Sequence, residues 1–577
     1  MQGSVLRLNP FKKHICDCLE KATGLPFQEI CDSLEMPPDE SWGDYGWPCH
    51  NLSRSLKKNP NLIATELKSS ISTEPSICSV SVKGPYLNFK LDKKEVIKYI
   101  CHEIFSKGSD FAKDNIGQGK TVVIDYSSPN IAKPMGIGHL RSTVLGASLK
   151  NIFKHLGYRV VGINHLGDWG TQFGKLVVAY KRWADPQKME KEPIEELYRL
   201  YVKIHKESEE DKSLEEESRC IFKKLEDGDP EIVTLWKKFV DLSWKDFQRI
   251  YDLLGIKFEL VAGESFYNKM MSDTISLLER KNLAKLSQGA LIIPLSDYEM
   301  EPLLLKKRDG SSLYGTRDLT AAIYRYNTYK FDKLLYVVGV AQSLHFKQLF
   351  KTLELMGYDW ASRCHHVSFG WVTLAGEMMS TRKGNVVFLE DVLKQASAKA
   401  LNIIEKNNPD LENKQQVASQ VGIGAIVFTN LSVKRQTDVS FDWDRMLDFN
   451  GQTGPYLQYA HARLSSVMRK YGEDLDVKAD YELLKLPEEY RLAKKLMEFP
   501  DKIVIAAKTY EPYIISSYLL DTVSLFSTYF QRYKSPRDKI LSDDPRLKKA
   551  RVNLSHCLKT VLKSGLNILG LEAPEKM

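Results

Sequence analysis

Residues 121–156 constrain this chain more than any other stretch. Thr121-Val122-Val123-Ile124-Asp125-Tyr126 is a short, largely β-branched run, of the kind a parallel sheet buries on both faces. Leu140, Val144, Leu145, Leu149, Ile152, Phe153 and Leu156 then recur at helical spacing, as one buried helix face requires. Arg159-Val160-Val161-Gly162-Ile163-Asn164 follows as a second strand, completing a βαβ unit. The connection from first strand to helix carries Gly136, Gly138 and, where the helix begins, His139. A strand, a glycine-containing loop and a helix N-terminus in that order present backbone N–H groups to phosphate. Many folds share the arrangement, so by itself it specifies an α/β core and not a reaction.

Length and composition set the bounds. A 577-residue chain exceeds what one core accommodates and implies three or four domains of ~150 residues. The hydrophobic fraction of 43% and charged fraction of 27% exclude a disordered or fibrous chain. A net charge of +8 permits a polyanionic partner without requiring one. The nine cysteines contain no Cys-x-x-Cys pair, which argues against a zinc ribbon or thioredoxin-type site and for free thiols in a reducing compartment. No apolar run is long enough to span a bilayer, and the N-terminus has too little Arg and Ser for an organelle presequence. The expectation is a cytoplasmic protein with no membrane partner and no protein-bound metal site.

Three regions follow from the patterning. Residues 1–116 read as an α+β unit, with two helices across Asn51–Ile71 broken near Pro60. Gly84-Pro85 turns into a strand there, and Gly117-Gln118-Gly119 is a linker. Residues 117–436 alternate strand and helix, with later strands expected at 334–338 and 366–369 and a charged helical insertion around 181–260. Residues 437–577 are almost wholly helical in pattern.

The candidate chemistry lies in two segments. His139 read alone is a histidine that caps or packs a helix start. With Gly136 and Gly138 removing side chains beside it, it becomes a donor placed to stabilise charge on a polyphosphate. Far downstream, Met379-Ser380-Thr381-Arg382-Lys383-Gly384-Asn385 puts cations on a glycine-hinged loop able to close over a triphosphate. Solvated loop charge is the bland alternative for Arg382, Lys383 and Lys133. Tyr314 and Asp318, four residues apart, project from one face of a helix; in isolation they are a surface pair.

Together these segments resemble the paired signatures, usually written HIGH and KMSKS, of class I aminoacyl-tRNA synthetases, and within them the arginyl-tRNA synthetase family. The resemblance extends to Asn164-His165-Leu166-Gly167-Asp168-Trp169-Gly170, Gly263-Glu264-Ser265-Phe266-Tyr267, Asp309 to Asp318, and Thr453-Gly454-Pro455-Tyr456-Leu457-Gln458-Tyr459-Ala460-His461-Ala462-Arg463. It implies a Rossmann-like α/β catalytic domain with helical insertions, an N-terminal α+β domain that contacts tRNA, and a C-terminal all-α anticodon-binding bundle. The implied activity is ligation of L-arginine to tRNA-Arg through an arginyl-adenylate, with ATP and Mg²⁺ as MgATP, by a monomer whose activation step requires bound tRNA.

The resemblance also implies roles. His139, Lys133, Ser380 and Lys383 are the catalytic set, with Gly136 and Gly138 completing the ATP site. Tyr314 and Asp318 hold the substrate guanidinium, a planar cation with five donors best met by a carboxylate. Asp125 and Asn130 meet the ammonium and carboxylate ends of arginine, and Gln342 is a further position of the arginine pocket. Tyr456, Tyr459, Arg463 and Met577 contact tRNA, aided by Gly43-Asp44-Tyr45 and Asn59 to Ala64 in the N-terminal region. The chain departs from the family pattern at Gly136, which replaces the first HIGH histidine. It departs again at Met378 and Thr381, which replace the two KMSKS lysines; Lys133 resembles the residue that substitutes for the second. Two rival readings stand beside this one: an RNA-binding relative that has lost catalysis, and a nucleotidyltransferase of similar fold with no tRNA partner.

Overall fold

The computed structural model describes residues 9–71, 76–307, 314–374, 387–536 and 538–577. The chain divides into two compact units, one of Met1–Ile116, Arg463–Lys502 and Asp521–Ser564, the other of Gly117–Ala462, Ile503–Leu520 and Gly565–Met577.

The chain opens with helices α1 (Pro10–Thr23) and α2 (Phe27–Ser33) and strand β1 (Tyr45–Pro48). Helices α3 (His50–Leu56) and α4 (Pro60–Ser70), strands β2 (Ile77–Lys83) and β3 (Tyr86–Leu91), and helix α5 (Lys93–Lys107) follow. The break expected near Pro60 falls between α3 and α4, and the strand expected after Gly84-Pro85 is β3. The three strands form an antiparallel sheet in the order β1-β3-β2. Local chemistry sets the helix ends. Asn9 caps α1 through the Lys12 amide with Pro10 in the first turn, and Gly24 closes it at φ 69°. Asp92 caps α5 by accepting from the Lys94 and Glu95 amides.

The second unit is built on β4 (Thr121–Asp125), α6 (Leu140–His155) and β5 (Arg159–Asn164). Every residue of β4 is buried, as its unbroken apolar pattern predicts. The helical insertion comprises α7 (Thr171–Trp183), α8 (Pro186–Lys191), α9 (Pro193–Glu210), α10 (Ser213–Glu226) and α11 (Pro230–Leu253). Strand β6 (Leu260–Val261) returns to the sheet, and α12 (Met271–Arg280) precedes a small antiparallel sheet of β7 (Lys285–Ser287), β8 (Ala290–Ile293) and β9 (Leu303–Lys306). Then come α13 (Tyr314–Tyr329), β10 (Lys333–Tyr336), α14 (Ser343–Leu355), β11 (Cys364–His366) and β12 (Val372–Leu374). The strand expected at 366–369 lies two residues earlier, because the β10 register sets Leu334 opposite Cys364 and Tyr336 opposite His366. Helices α15 (Leu389–Asn407) and α16 (Lys414–Leu431) lead to β13 (Val439–Phe441), which pairs in parallel with β12. The rest is helical: α17 (Trp443–Met446), α18 (Gly454–Tyr471), α19 (Pro487–Thr509), α20 (Tyr513–Arg532) and α21 (Pro545–Leu569). Among the described residues, no helix is long and apolar enough to cross a membrane.

The main sheet is parallel, in the order β11-β10-β4-β5-β6. From β4 the chain crosses to β5 on one side and later returns to β10 on the other. The strand order therefore reverses at the carboxyl ends of β4 and β10, where open α/β sheets leave a ligand crevice.

Candidate active site

The loop leaving β4 is held by side-chain hydroxyls. Ser127 and Ala132 adopt φ of 56° and 62°, a conformation that costs a non-glycine residue ~1–3 kcal/mol. Ser127 Oγ lies 2.6 Å from Thr143 Oγ1 and 2.8 Å from the Tyr251 hydroxyl. Its amide donates to Ser142 Oγ at 3.0 Å, which donates to the Val337 carbonyl at 2.7 Å. The Ala132 amide donates to Ser243 Oγ at 2.8 Å. Helix α11 thus supplies Ser243 and Tyr251 from the insertion, and the tail of β10 supplies Val337.

At the start of α6, a 3₁₀ turn of Ile137–His139 brings the glycine loop against residues 387–389. Gly136 bridges to Phe388, the Ile137 amide donates to the Val387 carbonyl at 3.1 Å, and the Leu389 amide donates to Met135 at 2.8 Å. The first motif is therefore stitched to the segment that leaves the second. Ser380 and Lys383 themselves lie outside the described residues.

His139 Nδ1–H donates to the Gly136 carbonyl at 3.2 Å. Burial of the ring lowers its pKa; the Gly136 bond opposes this, and the nearby Lys133 ammonium adds to it. Lys133 Nζ sits 4.0 Å from the centroid of the Tyr201 ring. At Gly138 an added Cβ would meet no heavy atom within 4 Å. The space belongs to a cavity of about 290 Å³ walled by Gly138, Gly339, Gln342, Phe369, Trp371 and Val372. These are the ends of β10 and β11 facing the start of α6, with the indole of Trp371 half exposed.

The carboxylates gather around α13. Tyr314 is 65% exposed and opens the helix. One turn on, Asp318 Oδ2 lies 2.6 Å from His345 Nε2. Burial pushes the Asp318 carboxyl up, but the His345 hydrogen bond and the charges of His345, His165 and Arg325 outweigh it and hold it below its ordinary value. Glu264 faces Arg317 at 3.3 Å. Its carboxyl is pushed up to about 8 by burial, with Arg317 opposing and Asp318 and Asp168 reinforcing. Asp168 is occupied by the Ser265 amide and hydroxyl at 2.8 and 2.6 Å.

Asp125 is brought to the same crevice with a partner of its own. Its Oδ2 lies 2.7 Å from Arg325 Nη2, both side chains being almost fully buried, and Ser128 Oγ donates to its Oδ1 at 3.4 Å. Asn130 is exposed and lies over Gly167, where a Cβ would come within 2.0 Å of its Oδ1. Gln342 is exposed on the turn between β10 and α14, three residues before His345, and lines the cavity. Glu264, His345, Arg325 and Trp371 were not expected as site residues. Glu264 sat within a recognised block without a role, and His345 follows Gln342 by one helical turn. An arginine in an amphipathic helix carries no local sign that it will be buried.

The residues expected to contact tRNA are placed differently. Tyr456 is half-buried and Tyr459 exposed on α18. The Arg463 guanidinium lies 5.0 Å from the centroid of the Phe530 ring. The Met577 main-chain oxygen accepts from Asn408 Nδ2 at 3.0 Å, and the residue packs on the cluster around Leu411 and Val417. In the N-terminal segment Asp44 is buried, accepting from the Leu91 amide and pairing with Lys494 at 2.7 Å. Asn59 caps α4. Asp44, Asn59 and Met577 therefore have packing or capping roles, and Tyr459 remains exposed.

Comparison with known proteins agrees with the geometry. The family model described as "tRNA synthetases class I (R), catalytic domain" matches residues 101–443. The "DALR anticodon binding domain" matches 457–577, and the "Arginyl tRNA synthetase N terminal domain" matches 9–91. An arginine–tRNA ligase of Clostridium botulinum is 47% identical over 567 residues, 98% of this chain and 100% of that protein. One from Halothermothrix orenii is 46% identical over 568 residues with the same coverage. The solved structure of Thermus thermophilus arginyl-tRNA synthetase superposes with a TM-score of 0.84 at 25% identity, covering 98% of this chain and 100% of the other. A class I catalytic-domain model covering more than half of the chain and ligases 46–47% identical along its whole length show that the chain belongs to the arginyl-tRNA synthetase family.

Proposed function

We infer that this chain is an arginine–tRNA ligase, which joins arginine to tRNA-Arg through an adenylate formed from ATP. The observation that carries the reading is the full-length identity of 46–47% to arginine–tRNA ligases, and the site chemistry supports it. In the first step the arginine carboxylate attacks the α-phosphate of ATP and pyrophosphate leaves. In the second the terminal ribose hydroxyl of the tRNA attacks the adenylate carbonyl, forming the ester as the acyl–phosphate bond breaks and AMP leaves. Neither step needs a covalent protein nucleophile, so placement of reactants and stabilisation of charge supply the rate.

The residue roles are proposals on the same footing. The purine occupies the cavity beside Gly138, between Gly339 and Trp371. Lys133, His139, Ser380 and Lys383 act on the phosphates. His139 directs Nδ1–H at Gly136, so Nε2 carries a proton toward phosphate only as imidazolium, and the arriving anion favours that form. Asp318 and Tyr314 receive the guanidinium, with Glu264 as a second carboxylate. Asn130 and Gln342 meet the amino-acid end, with Asp125 behind them fixed by Arg325. Among the described residues, no group of three His, Cys, Asp or Glu side chains converges on a metal position. Mg²⁺ is proposed to enter on the triphosphate, whose charge it shares. Tyr456, Tyr459, Arg463 and Met577 are proposed to meet the anticodon arm.

ATP–pyrophosphate exchange with arginine, run with and without a tRNA-Arg transcript and with lysine as control, tests the function. Arginine-specific exchange that appears only with tRNA is expected. Exchange with lysine, or none while the tRNA still binds, overturns the reading.

A further inference from the structure

The cation that the glycine loop contributes is held by the helical insertion. Lys133 Nζ lies 4.0 Å from the centroid of the Tyr201 ring, and Tyr201, in α9, is only 6% exposed. His205 backs that ring with centroids 4.2 Å apart and anchors itself through Nδ1 on the Tyr201 carbonyl at 2.8 Å. Nearly one turn earlier in α9, the Tyr198 ring lies 6.1 Å from that of Phe388, whose backbone pairs with Gly136. One face of α9 thus touches the first motif at Lys133 and the segment leaving the second motif at Phe388.

The choice of partner matters chemically. An aromatic face attracts an ammonium through its quadrupole and leaves the net charge intact. A carboxylate in the same place would neutralise the charge that a triphosphate needs. Among the described residues no carboxylate pairs with Lys133, and its charge reaches His139. We propose that Tyr201 is a positioning residue for arginine activation, its ring fixing the Lys133 ammonium, still fully charged, where the triphosphate arrives. The inference rests on the assignment of Lys133 to the phosphates. The ring is what is required; the hydroxyl is not.

The test is a double-mutant cycle read by tRNA-dependent exchange. Tyr201→Phe keeps the ring and stays within twofold of the native rate. Tyr201→Leu loses the face and lowers kcat roughly tenfold with the KM for arginine unchanged. In a Lys133→Ala background, Tyr201→Leu has no further effect. Fully additive losses, or a harmless Tyr201→Leu beside a severe Lys133→Ala, overturn the role of Tyr201 alone. A harmless Lys133→Ala overturns the Lys133 assignment itself. A measurement on the native protein does not depend on the stability of any Tyr201 variant. The Lys133 ε-methylene resonance, identified by its loss in Lys133→Ala, is shifted upfield by the ring; an unshifted resonance overturns the contact.

Discussion

The two ends of the crevice treat charge in opposite ways. At the end beside the glycine loop the basic groups meet partners that do not neutralise them: Lys133 rests on the Tyr201 ring and His139 on the Gly136 carbonyl. At the other end, around α13, each carboxylate already faces a donor, but unevenly. Asp125 has a buried guanidinium, Asp168 a serine amide and hydroxyl, Asp318 one histidine, and Glu264 a looser contact to Arg317. The result is one carboxyl held below its ordinary value and another pushed up to about 8 within the same pocket. Under the proposed assignment, a tightly held carboxylate and a more weakly stabilised one leave acidic capacity for an incoming guanidinium, and the other end leaves positive charge for a polyphosphate. Buried groups left waiting in this way also reject ligands that cannot satisfy them.

The contrast is broken most sharply at Asp318. Asp318→Asn keeps the shape and the contact with His345 but removes the charge, and kcat/KM for arginine is expected to fall about 10³-fold in exchange assays. A loss below tenfold would place guanidinium recognition elsewhere. At the opposite end, His139→Ala is expected to cut adenylate formation ~100-fold while the KM for arginine stays put; near-native turnover would remove His139 from the catalytic set.

Glu264 sharpens the comparison through pH. Guanidinium binding favours its carboxylate, so arginine affinity rises with pH, by roughly tenfold between pH 6.5 and 8, and calorimetry in buffers of different ionisation heat records proton release. Glu264→Gln flattens the profile. An equally steep profile in that variant assigns the proton to another group. Because folding raises this carboxyl above its ordinary 4.5, the linked stability is fully present below pH 4.5 and is lost as pH rises through about 8. The smallest effect is at Gly138. With no heavy atom within 4 Å of an added Cβ, Gly138→Ala is expected to fold unchanged but to narrow the cavity proposed for the purine, raising the KM for ATP severalfold. An unaltered KM would move the purine away from this wall.

Much of the architecture was legible because it is written locally. The β4 run, the helical spacing of α6 and the break at Pro60 need only near neighbours. The N-terminal blocks show where that reading stops. Gly43-Asp44-Tyr45 was expected to meet tRNA; in the structure Gly43 also has φ 146° against the Phe89 carbonyl, and Asp44 holds the Leu91 amide and Lys494. These packing contacts are invisible in the sequence, because the partners lie far along the chain.

The sequence by itself determined the reaction class through a family resemblance carried by many blocks in order, while the glycine loop and the helix-start histidine are legible within a turn or two of chain. Only the tertiary structure decided how those groups are charged. Arg325 reaches Asp125 across 200 residues, His345 reaches Asp318 across 27 and Tyr201 reaches Lys133 across 68. The reason is physical: a group's electrostatic surroundings are set by burial and by neighbours within a few ångströms, and those neighbours come from helices α13, α14 and α9, which no local pattern connects to the groups they meet.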